Sequence, residues 1–336
     1  MKVVVIQEEL LQSDITKDEL TERWMKLEEI PEVDDLQIVK PVPYPSVSEI
    51  SELTKDADAA FGIWIGPDII NKEFVDSHPK LKYIGMLGHG YEPFDKNLAI
   101  AHGLHISNTV YGASTISEYG FALLMEVCHH VNLHSNRVHN IDWSDPNNKK
   151  EYCRTETRQI ELFGKTMGIV GLGAIGFSTA KIAAGFGMKV ISYSRHKKVG
   201  PEYDFIDQKD SLHELLAESD VVSLNVPHTK ETEHMINRKT LGEMKDGAIL
   251  INTARGALID EEALADALRS GKLYGAGLDV LTDEPPVNGS PLLSAPNCTI
   301  TGHIAWLTRE SRLRAVDMAI DQFKSYLKGN PVSLIA

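Results

Sequence analysis

A glycine-rich stretch, Gly171-Leu172-Gly173-Ala174-Ile175-Gly176, has the spacing of loops that hold a pyrophosphate. It follows a strand-like apolar run and opens a helical segment, which is the context that such a loop needs. Gly171 would permit a tight turn, Gly173 would let the backbone approach a phosphate, and Gly176 would let helix and strand pack closely. Free N–H groups at the positive end of the helix dipole would bind the anion. We therefore predict a dinucleotide site at these six residues, including Ala174 and Ile175; the alternative is a purely structural turn.

A basic loop stands where enzymes that use NAD place an Asp or Glu for the ribose 2′-hydroxyl. The strand after the glycine loop ends at Ser194, and Arg195, His196, Lys197 and Lys198 follow it. Because the acid is replaced by cations, we predict a pocket for the 2′-phosphate of NADP at Ser194, Arg195 and Lys197. NADPH is then preferred over NADH. The alternative is a solvated surface loop.

Short apolar runs alternate with amphipathic segments along the whole chain. The runs that predict strands are residues 3–6, 59–65, 81–87 and 104–106, then 167–170, 189–193, 221–224, 248–251 and 275–278. Capping-box spacing at Thr16 and Ser211 indicates helix starts. Strand–helix alternation predicts parallel sheets covered on both faces. A long helix over residues 114–138 joins two α/β units, and a helix over residues 309–327 ends the chain.

The composition limits the class of protein. With 336 residues, 42% of them hydrophobic, the chain is long enough for two domains with sizeable cores. A net charge of −14 repels phosphate backbones and anionic lipids, so we expect neither nucleic acid nor a membrane as a partner. Three scattered cysteines and no evident leader favour a cytoplasmic location. Histidines at positions 129, 130, 134 and 139 lack a nearby acidic ligand motif, so we predict no metal site.

Three further segments accompany the glycine loop: Asn252-Thr253-Ala254-Arg255-Gly256, residues 277–286 (GLDVLTDEPP) and residues 301–306 (TGHIAW). Together they resemble the D-isomer-specific 2-hydroxyacid dehydrogenases, with a specific match from residue 108 to the C-terminus. The His-Ile-Ala-Trp segment is most similar to the glycerate dehydrogenases and glyoxylate/hydroxypyruvate reductases of that family.

The resemblance implies a catalytic set in which His303 is the general acid/base, Glu284 its carboxylate partner and Arg255 the substrate anchor. Hydride reduction turns a ketone into an alkoxide, so a protonated imidazole would donate as charge develops. A carboxylate beside the imidazole favours its charged form, and an arginine fork binds a substrate carboxylate bidentately. Taken singly, the three residues also fit a satisfied histidine, a loop acid and a surface cation. Arg255 and Glu284 each follow a predicted strand, where ligands of such sheets bind.

The same resemblance implies further contacts. Gly88-His89-Gly90 is similar to a substrate loop in which the N–H groups of His89 and Gly90 take the substrate carboxylate; a simple turn is the alternative. The family continues with Asp-Asn where this chain has Glu92-Pro93, so the preferred 2-oxo acid stays open. Trp143 stands where related reductases place an aromatic that reaches the partner subunit's site, or it is a core aromatic at a helix end. Cofactor contacts are implied for Val226, Pro227, Thr232, Thr253, Ala254 and Asp279, the last with the nicotinamide amide.

The prediction is an α/β protein of two doubly wound parallel-sheet domains. Residues 1–108 plus 306–336 form a flavodoxin-like substrate domain, and residues 109–305 form a Rossmann dinucleotide-binding domain, with the active site in the cleft. The expected reaction is reduction of a small 2-oxo acid (glyoxylate, hydroxypyruvate or similar) by NADPH to the D-2-hydroxy acid, in a homodimer. Two alternatives stay open: a dinucleotide-sensing binding protein like the corepressors of this fold, and a dehydrogenase of formate or phosphite.

Overall fold

Parallel strands with buried apolar side chains organise both parts of the chain. The computed structural model describes residues 1–6, 14–39, 45–63, 66–88, 90 and 94–336. They form two structural units, Met1–Gly112 with Leu307–Ala336, and Ala113–Trp306. Each unit is built on its own β-sheet.

The described residues of the first unit form a five-stranded parallel sheet. Its strands are β1 (Lys2–Ile6), β2 (Asp35–Val39), β3 (Ala59–Phe61), β4 (Tyr83–Met86) and β5 (His105–Asn108). The connecting helices are α1 (Lys17–Trp24), α2 (Val47–Thr54), α3 (Lys72–Ser77) and α4 (Lys96–Ala101). The spatial order β2-β1-β3-β4-β5 is the flavodoxin-like one. Strands β3 and β4 are buried throughout, as expected of a parallel sheet whose crossovers cover its faces.

The second unit holds a seven-stranded parallel sheet. Its strands are β6 (Thr166–Val170), β7 (Lys189–Tyr193), β8 (Ile206–Gln208), β9 (Val221–Leu224), β10 (Ala248–Asn252), β11 (Leu273–Leu278) and β12 (Cys298–Ile300). Their order, β12-β11-β10-β9-β6-β7-β8, is the Rossmann order with one more strand at the edge. The chain leaves β6 towards β7 on one side and resumes with β9 on the other. Ligands of such sheets bind at this change of direction, outside the carboxyl ends of the strands.

The helices of the second unit correct one prediction. They are α5 (Ala113–His129), α6 (Val131–Asn140), α7 (Ala174–Gly185), α8 (Leu212–Glu218), α9 (Arg238–Glu243) and α10 (Glu261–Arg269). The single helix predicted over residues 114–138 is therefore wrong, because it breaks at His130. That residue has φ +47° and ψ +46°, and a left-handed residue cannot continue a right-handed helix. Its ring Nε2 lies 3.1 Å from the hydroxyl oxygen of Tyr274, within hydrogen-bond distance.

The last helix, α11 (Arg309–Leu327), belongs to the first unit although the second unit precedes it in the chain. Its Phe323 packs edge-on against Phe61, with ring centroids 5.4 Å apart. Its Arg312 is 1% exposed and donates to both carboxylate oxygens of Asp14, at 2.5 and 2.6 Å. Apolar packing and an ion pair whose arginine is buried thus hold the C-terminal helix to the first unit.

The predicted fold class is confirmed: the chain is α/β and has two doubly wound parallel sheets. Every predicted strand is present. The strand predicted over residues 59–65 ends at Phe61, and residues 64 and 65 lie outside the described residues. Thr16 and Ser211 both cap helices, accepting the N–H groups of Glu19 and Glu214.

Candidate active site

The carboxyl ends of the seven strands of the second sheet meet at one edge, because all of the strands are parallel. The segments that leave this edge carry the predicted site residues of the second unit, apart from Trp143. Gly171 follows β6, Ser194 follows β7, and Val226 comes two residues after β9. Thr253 follows β10 and Asp279 follows β11. The fold therefore brings to one edge residues that lie far apart in the sequence.

The three glycines of the loop meet three different demands. Gly171 has φ +95°, and a Cβ there would lie 2.6 Å from the carbonyl oxygen of Asn225. A Cβ at Gly176 would lie 2.0 Å from the carbonyl oxygen of Gly171. A Cβ at Gly173 would have no atom within 4 Å. Gly173 is the N-cap of α7, and no side chain caps this helix start. Packing requires glycine at 171 and 176, whereas the open space at Gly173, beside Ala174 and Ile175, fits a phosphate at a helix N-terminus.

Ser194 contacts the glycine loop directly, since its Oγ accepts a hydrogen bond from the N–H of Leu172 at 2.7 Å. A hydroxyl that accepts in this way can still donate its own hydrogen to a neighbouring group. Arg195 and Lys197 are exposed beside it. Lys197 Nζ forms an ion pair with Asp210 Oδ1 at 2.6 Å, so this cation already has a carboxylate partner.

The charge of Arg195 acts on an acidic residue of the turn after β9. A hydrogen bond from Thr229, a backbone hydrogen bond and the charge of Arg195 hold the pKa of Glu231 below its ordinary value of 4.5. In the same turn, Thr232 Oγ1 donates to the carbonyl oxygen of Pro227 at 2.8 Å. A Cβ at Gly171 would lie 2.6 Å from Val226 Cγ1, so this turn contacts the glycine loop.

The turn after β10 is shaped by the side chain of Asn252. Its Oδ1 accepts the N–H of Ala254 at 2.9 Å, and its Nδ2 donates to the carbonyl oxygen of Arg255 at 2.8 Å. Thr253 is held between these two bonds. Arg255 Nη1 donates to the carbonyl oxygen of Ala254 at 2.8 Å, which leaves the other N–H groups of the guanidinium for a ligand.

His303 and Glu284 form a hydrogen-bonded pair, with Nδ1 of the imidazole 2.7 Å from Oε2 of the carboxylate. The other oxygen of Glu284 accepts the N–H of Leu281 at 3.0 Å, so the carboxylate is held from two sides. Both side chains are about one-third exposed, at 35% and 36%. Because Nδ1 faces the carboxylate, Nε2 of His303 is the nitrogen available to a ligand.

The charge state of Glu284 follows from its neighbours. Partial burial alone would raise the pKa of Glu284, but the hydrogen bond and charge of His303 oppose it. The N–H of Leu281 and the charge of Arg255 act in the same direction, and the net effect is a pKa below the ordinary 4.5. Arg255 is therefore electrostatically coupled to the pair. The structure thus brings His303 and Glu284 into hydrogen-bond contact, and the charge of Arg255 acts on the same carboxylate.

Asp279 supports the segment that carries His303. It is 1% exposed, and its Oδ1 accepts the hydroxyl of Thr301 at 2.6 Å and the N–H of Ile304 at 3.0 Å. Its Oδ2 accepts the N–H of Ala305 at 2.8 Å. The contact with the nicotinamide amide stays a prediction, and these bonds leave one oxygen with capacity to accept it.

Gly256 and Glu261 hold the loop that carries Glu284, and neither residue has a predicted role in the site. A Cβ at Gly256 would lie 1.9 Å from the carbonyl carbon of Leu281, so the turn of Arg255 and the loop of Glu284 pack backbone to backbone. Glu261 accepts the N–H of Thr282 at 2.7 Å and the hydroxyl of Ser290. An acid in the first turn of a helix is usually explained by the helix dipole, which is why its spacing carried no signal.

The remaining predicted site residues are His89, Gly90 and Trp143. His89 lies outside the described residues, as do Glu92 and Pro93; Gly90 is partly buried in the first unit. Trp143 follows α6 and is 39% exposed. Its Nε1 donates to the carbonyl oxygen of Val138 at 2.9 Å, and its ring meets Tyr152 edge-on. Its predicted role in a partner's site stays a prediction.

Two absences within the described ranges concern metal ions and membranes. Within them, no group of three or more His, Cys, Asp or Glu side chains is arranged to hold a metal ion. None of the helices found there is both long and apolar enough to span a bilayer.

Comparison with known proteins gives matches in both sequence and structure. A family model described as D-isomer specific 2-hydroxyacid dehydrogenase, NAD binding domain, matches residues 121–305. A hydroxypyruvate reductase of Blautia hydrogenotrophica is 39% identical over 292 residues, 86% of this chain and 89% of the relative. A glyoxylate reductase of Korarchaeum cryptofilum is 34% identical over 311 residues, 92% of each protein. The structure of an acyclic imino acid reductase in complex with NADPH and D-Arg matches 100% of both chains with a TM-score of 0.82 and 29% identity.

Proposed function

Because this chain belongs to the D-isomer specific 2-hydroxyacid dehydrogenases, a family of NAD(P)-dependent enzymes, we propose that it reduces a small 2-oxo acid to the D-2-hydroxy acid. Glyoxylate, hydroxypyruvate and 2-oxo acids of similar size are the proposed substrates, as the names of the relatives suggest. The observation that carries the proposal is the 2.7 Å contact between His303 and Glu284, with the charge of Arg255 acting on the carboxylate. Arg255, Glu284 and His303 follow β10, β11 and β12, at the sheet edge that also carries the glycine loop.

His303 supplies the proton in this proposal. When bound, the reduced nicotinamide supplies a hydride to the carbonyl carbon of the substrate. As charge develops on the carbonyl oxygen, Nε2 of the protonated imidazole donates its hydrogen to it. The carboxylate of Glu284 accepts a hydrogen bond from Nδ1 of His303. This bond fixes the imidazole ring and stabilises its positive charge before the transfer. In the reverse direction the same Nε2 takes the proton from the alcohol.

Arg255 holds the carboxylate of the 2-oxo acid. Its Nη1 is turned to the carbonyl oxygen of Ala254, which restricts the guanidinium and leaves its other N–H groups to form a fork. A carboxylate held in this way orients the adjacent carbonyl towards the proton donor. His89 and Gly90 are proposed to add backbone N–H groups to the same carboxylate. Residues 1–108 with 306–336 then form the substrate domain, and residues 109–305 form the cofactor domain.

NADPH is the proposed cofactor. Gly171, Gly173, Ala174, Ile175 and Gly176 would hold the pyrophosphate, and Ser194 with Arg195 would hold the 2′-phosphate. Lys197 would contribute less, because Asp210 already neutralises it. The contacts proposed for the rest of the cofactor are those of Val226, Pro227, Thr232, Thr253, Ala254 and Asp279.

A homodimer is the proposed assembly. Apolar side chains on and after α6 are exposed: Val131, Leu133, Val138, Trp143 and Tyr152. A second copy of this segment would cover them, and twofold dimers are the commonest oligomers. Light scattering at micromolar concentration should give twice the chain mass of 37.2 kDa; a monomer would contradict the proposal.

Steady-state assays over a panel of substrates test the proposed reaction. Glyoxylate, hydroxypyruvate and pyruvate are each supplied with NADPH and with NADH. The chirality of the product is determined for hydroxypyruvate and pyruvate, because the product of glyoxylate has no stereocentre. Formate and phosphite are supplied with the oxidised cofactors, and a 2-oxo acid mixed with an amine tests an imino acid substrate. Turnover of a 2-oxo acid to the D-product supports the proposal. Cofactor binding without any turnover would favour a sensing protein instead.

A further inference from the structure

One side chain of β8 clamps the basic loop, which we define as residues 194–198. Gln208, the last residue of β8, donates from Nε2 to the carbonyl oxygen of Lys198 at 2.8 Å. Its Oε1 accepts the N–H of Lys198 at 2.7 Å. A side-chain amide thus satisfies both backbone groups of one residue, as a neighbouring strand would do. These two bonds fix the C-terminal end of the basic loop.

The N-terminal end of the basic loop is fixed as well. Ser194 Oγ accepts the N–H of Leu172, which ties the loop to the glycine loop. Strands β7 and β8 pair with Ser192 opposite Gln208, and the N–H of Lys209 donates to the carbonyl oxygen of Ser192 at 2.8 Å. Arg195 therefore lies between two anchored points. Its side chain is exposed, but the backbone that carries it is held.

Within the described ranges, Lys197 is the basic-loop cation that has an ion-pair partner, whereas Arg195 and Lys198 have none, and Arg195 is the one next to Ser194. Lys197 pairs with Asp210 at 2.6 Å. Lys209 Nζ lies 2.8 Å from both Asp207 and Glu218, so its charge is satisfied away from the loop. Glu231, whose pKa the charge of Arg195 helps to lower, belongs to a different turn and accepts a hydrogen bond from Thr229 at 2.7 Å.

We propose that Gln208 is a positioning residue for cofactor choice: its clamp on Lys198 holds the basic loop in the conformation in which Ser194 and Arg195 bind the 2′-phosphate. The inference rests on the proposed preference for NADPH. A loop that is ordered before binding loses less conformational entropy when the ligand arrives, so affinity is gained without a new contact. NADH has no 2′-phosphate and gains nothing from the clamp. Gln208 therefore acts on the difference between the two cofactors.

Calorimetric titration of the full-length protein with NADPH and with NADH tests this role without depending on turnover. Gln208→Met keeps the length of the side chain and removes both hydrogen bonds. We expect it to weaken NADPH binding about 5- to 20-fold while leaving the Kd of NADH within about twofold. In an Arg195→Ala background the same substitution should have a smaller effect, because only the contact of Ser194 is then left for the clamp to position. Gln159→Met, which removes a comparable set of side-chain hydrogen bonds elsewhere in the second unit, is the matched control and should change neither Kd.

The outcomes distinguish a failure of the proposed NADPH preference from a failure of the role of Gln208. A wild-type protein that binds both cofactors equally would overturn the proposed NADPH preference and, with it, the role of Gln208. A wild-type preference that survives Gln208→Met would overturn the role of Gln208 alone. Equal weakening of NADPH and NADH would also overturn it, because a general structural effect would not distinguish the cofactors. Thermal unfolding of each variant, followed by circular dichroism, verifies that the titrated protein is folded.

Discussion

The backbone N–H of His303 donates to the carbonyl oxygen of Asp279 at 2.7 Å, although the two residues belong to segments after different strands. The carboxylate of Asp279 accepts three more donors from residues 301–305. His303 itself has φ +58°, a left-handed conformation that costs free energy for a residue with a side chain. The buried Asp279 thus holds the backbone that carries His303, while Glu284 orients the imidazole ring of His303.

Replacement of His303 tests the proton transfer. His303→Ala removes the donor at Nε2, and we expect kcat to fall by about 10²–10⁴-fold. The Kd of the cofactor should change little, because the imidazole is assigned to the substrate and not to the dinucleotide. Single-turnover rates with NADPH and the best 2-oxo acid provide the measurement. Near-full turnover in this variant would exclude His303 from the mechanism.

The pH dependence of Glu284 has a definite sign. Its folded-state pKa lies below 4.5, so the pair stabilises the folded protein above 4.5 and this contribution is lost as the pH falls through the lowered pKa. Glu284→Gln cannot ionise. We therefore expect the wild type to have the higher Tm near neutrality, with the difference shrinking below pH 4.5. The gain corresponds to less than about 1 kcal/mol, since the pair is partly exposed and screened. A difference in Tm that is independent of pH would contradict the assignment.

The two sheets show which strands a sequence can predict. The three strands that were not predicted, β2, β8 and β12, are all edge strands of their sheets. Their residues are largely exposed or half-buried, whereas β4 and β9 are buried throughout. A central strand of a parallel sheet needs apolar side chains on both faces and leaves a continuous run in the sequence. An exposed edge strand leaves no such run, so its pattern resembles a loop. The edge strand β5 was predicted because its two central residues are buried.

The candidate site likewise has parts that local sequence patterns predict and parts that they do not. The glycine loop and the segments around Arg255, Glu284 and His303 have local spacing, which made them predictable from one sequence. The pairing of Lys197 with Asp210 and of Glu261 with Thr282 depends on which loops meet across the sheet edge. No local pattern contains that information. The break at His130 was missed for the same reason, because its ring partner Tyr274 lies far away in the chain.

Substitution of Arg255 distinguishes a fork from a point charge. Arg255→Lys keeps the positive charge near Glu284 but loses the planar pair of donors. We expect KM for the 2-oxo acid to rise and kcat to fall, so that kcat/KM drops by about tenfold or more. KM for NADPH should stay the same, which serves as the internal control. Wild-type kinetics in this variant would show that Arg255 is not a bidentate anchor.

Two alanine substitutions in the glycine loop should separate stability from binding. Gly176→Ala places a Cβ 2.0 Å from the carbonyl oxygen of Gly171, so we expect a loss of about 1–3 kcal/mol in the free energy of unfolding. Gly173→Ala meets open space, so stability should be kept while the Kd of both cofactors rises. Denaturant unfolding and calorimetric titration measure the two effects. Unchanged cofactor binding in Gly173→Ala would argue against a phosphate at this position.

Cofactor choice is predicted to depend on Ser194 and Arg195. In the wild type the hydroxyl of Ser194 and the exposed guanidinium of Arg195 are the groups proposed to bind the 2′-phosphate, and hydrogen bonds to a charged group contribute about 1.5–3 kcal/mol each. Exposure and the nearby carboxylate of Glu231 reduce this sum to about 2 kcal/mol, or roughly 30-fold in favour of NADPH. The double variant Ser194→Asp, Arg195→Ala introduces a carboxylate that repels the phosphate and accepts from a ribose hydroxyl, so kcat/KM with NADPH should fall below that with NADH.

Lys197→Ala is the matched control for this double variant, because Lys197 lies in the same loop but is paired with Asp210. Its effect on the ratio of kcat/KM values should stay within about threefold, as expected of an exposed, already neutralised cation. The wild-type preference should also weaken as salt is added, since an exposed contact is screened. Equal kcat/KM values for NADPH and NADH in the wild type would reduce the basic loop to a solvated turn. A large loss of NADPH selectivity in Lys197→Ala would instead move the phosphate contact from Arg195 to Lys197.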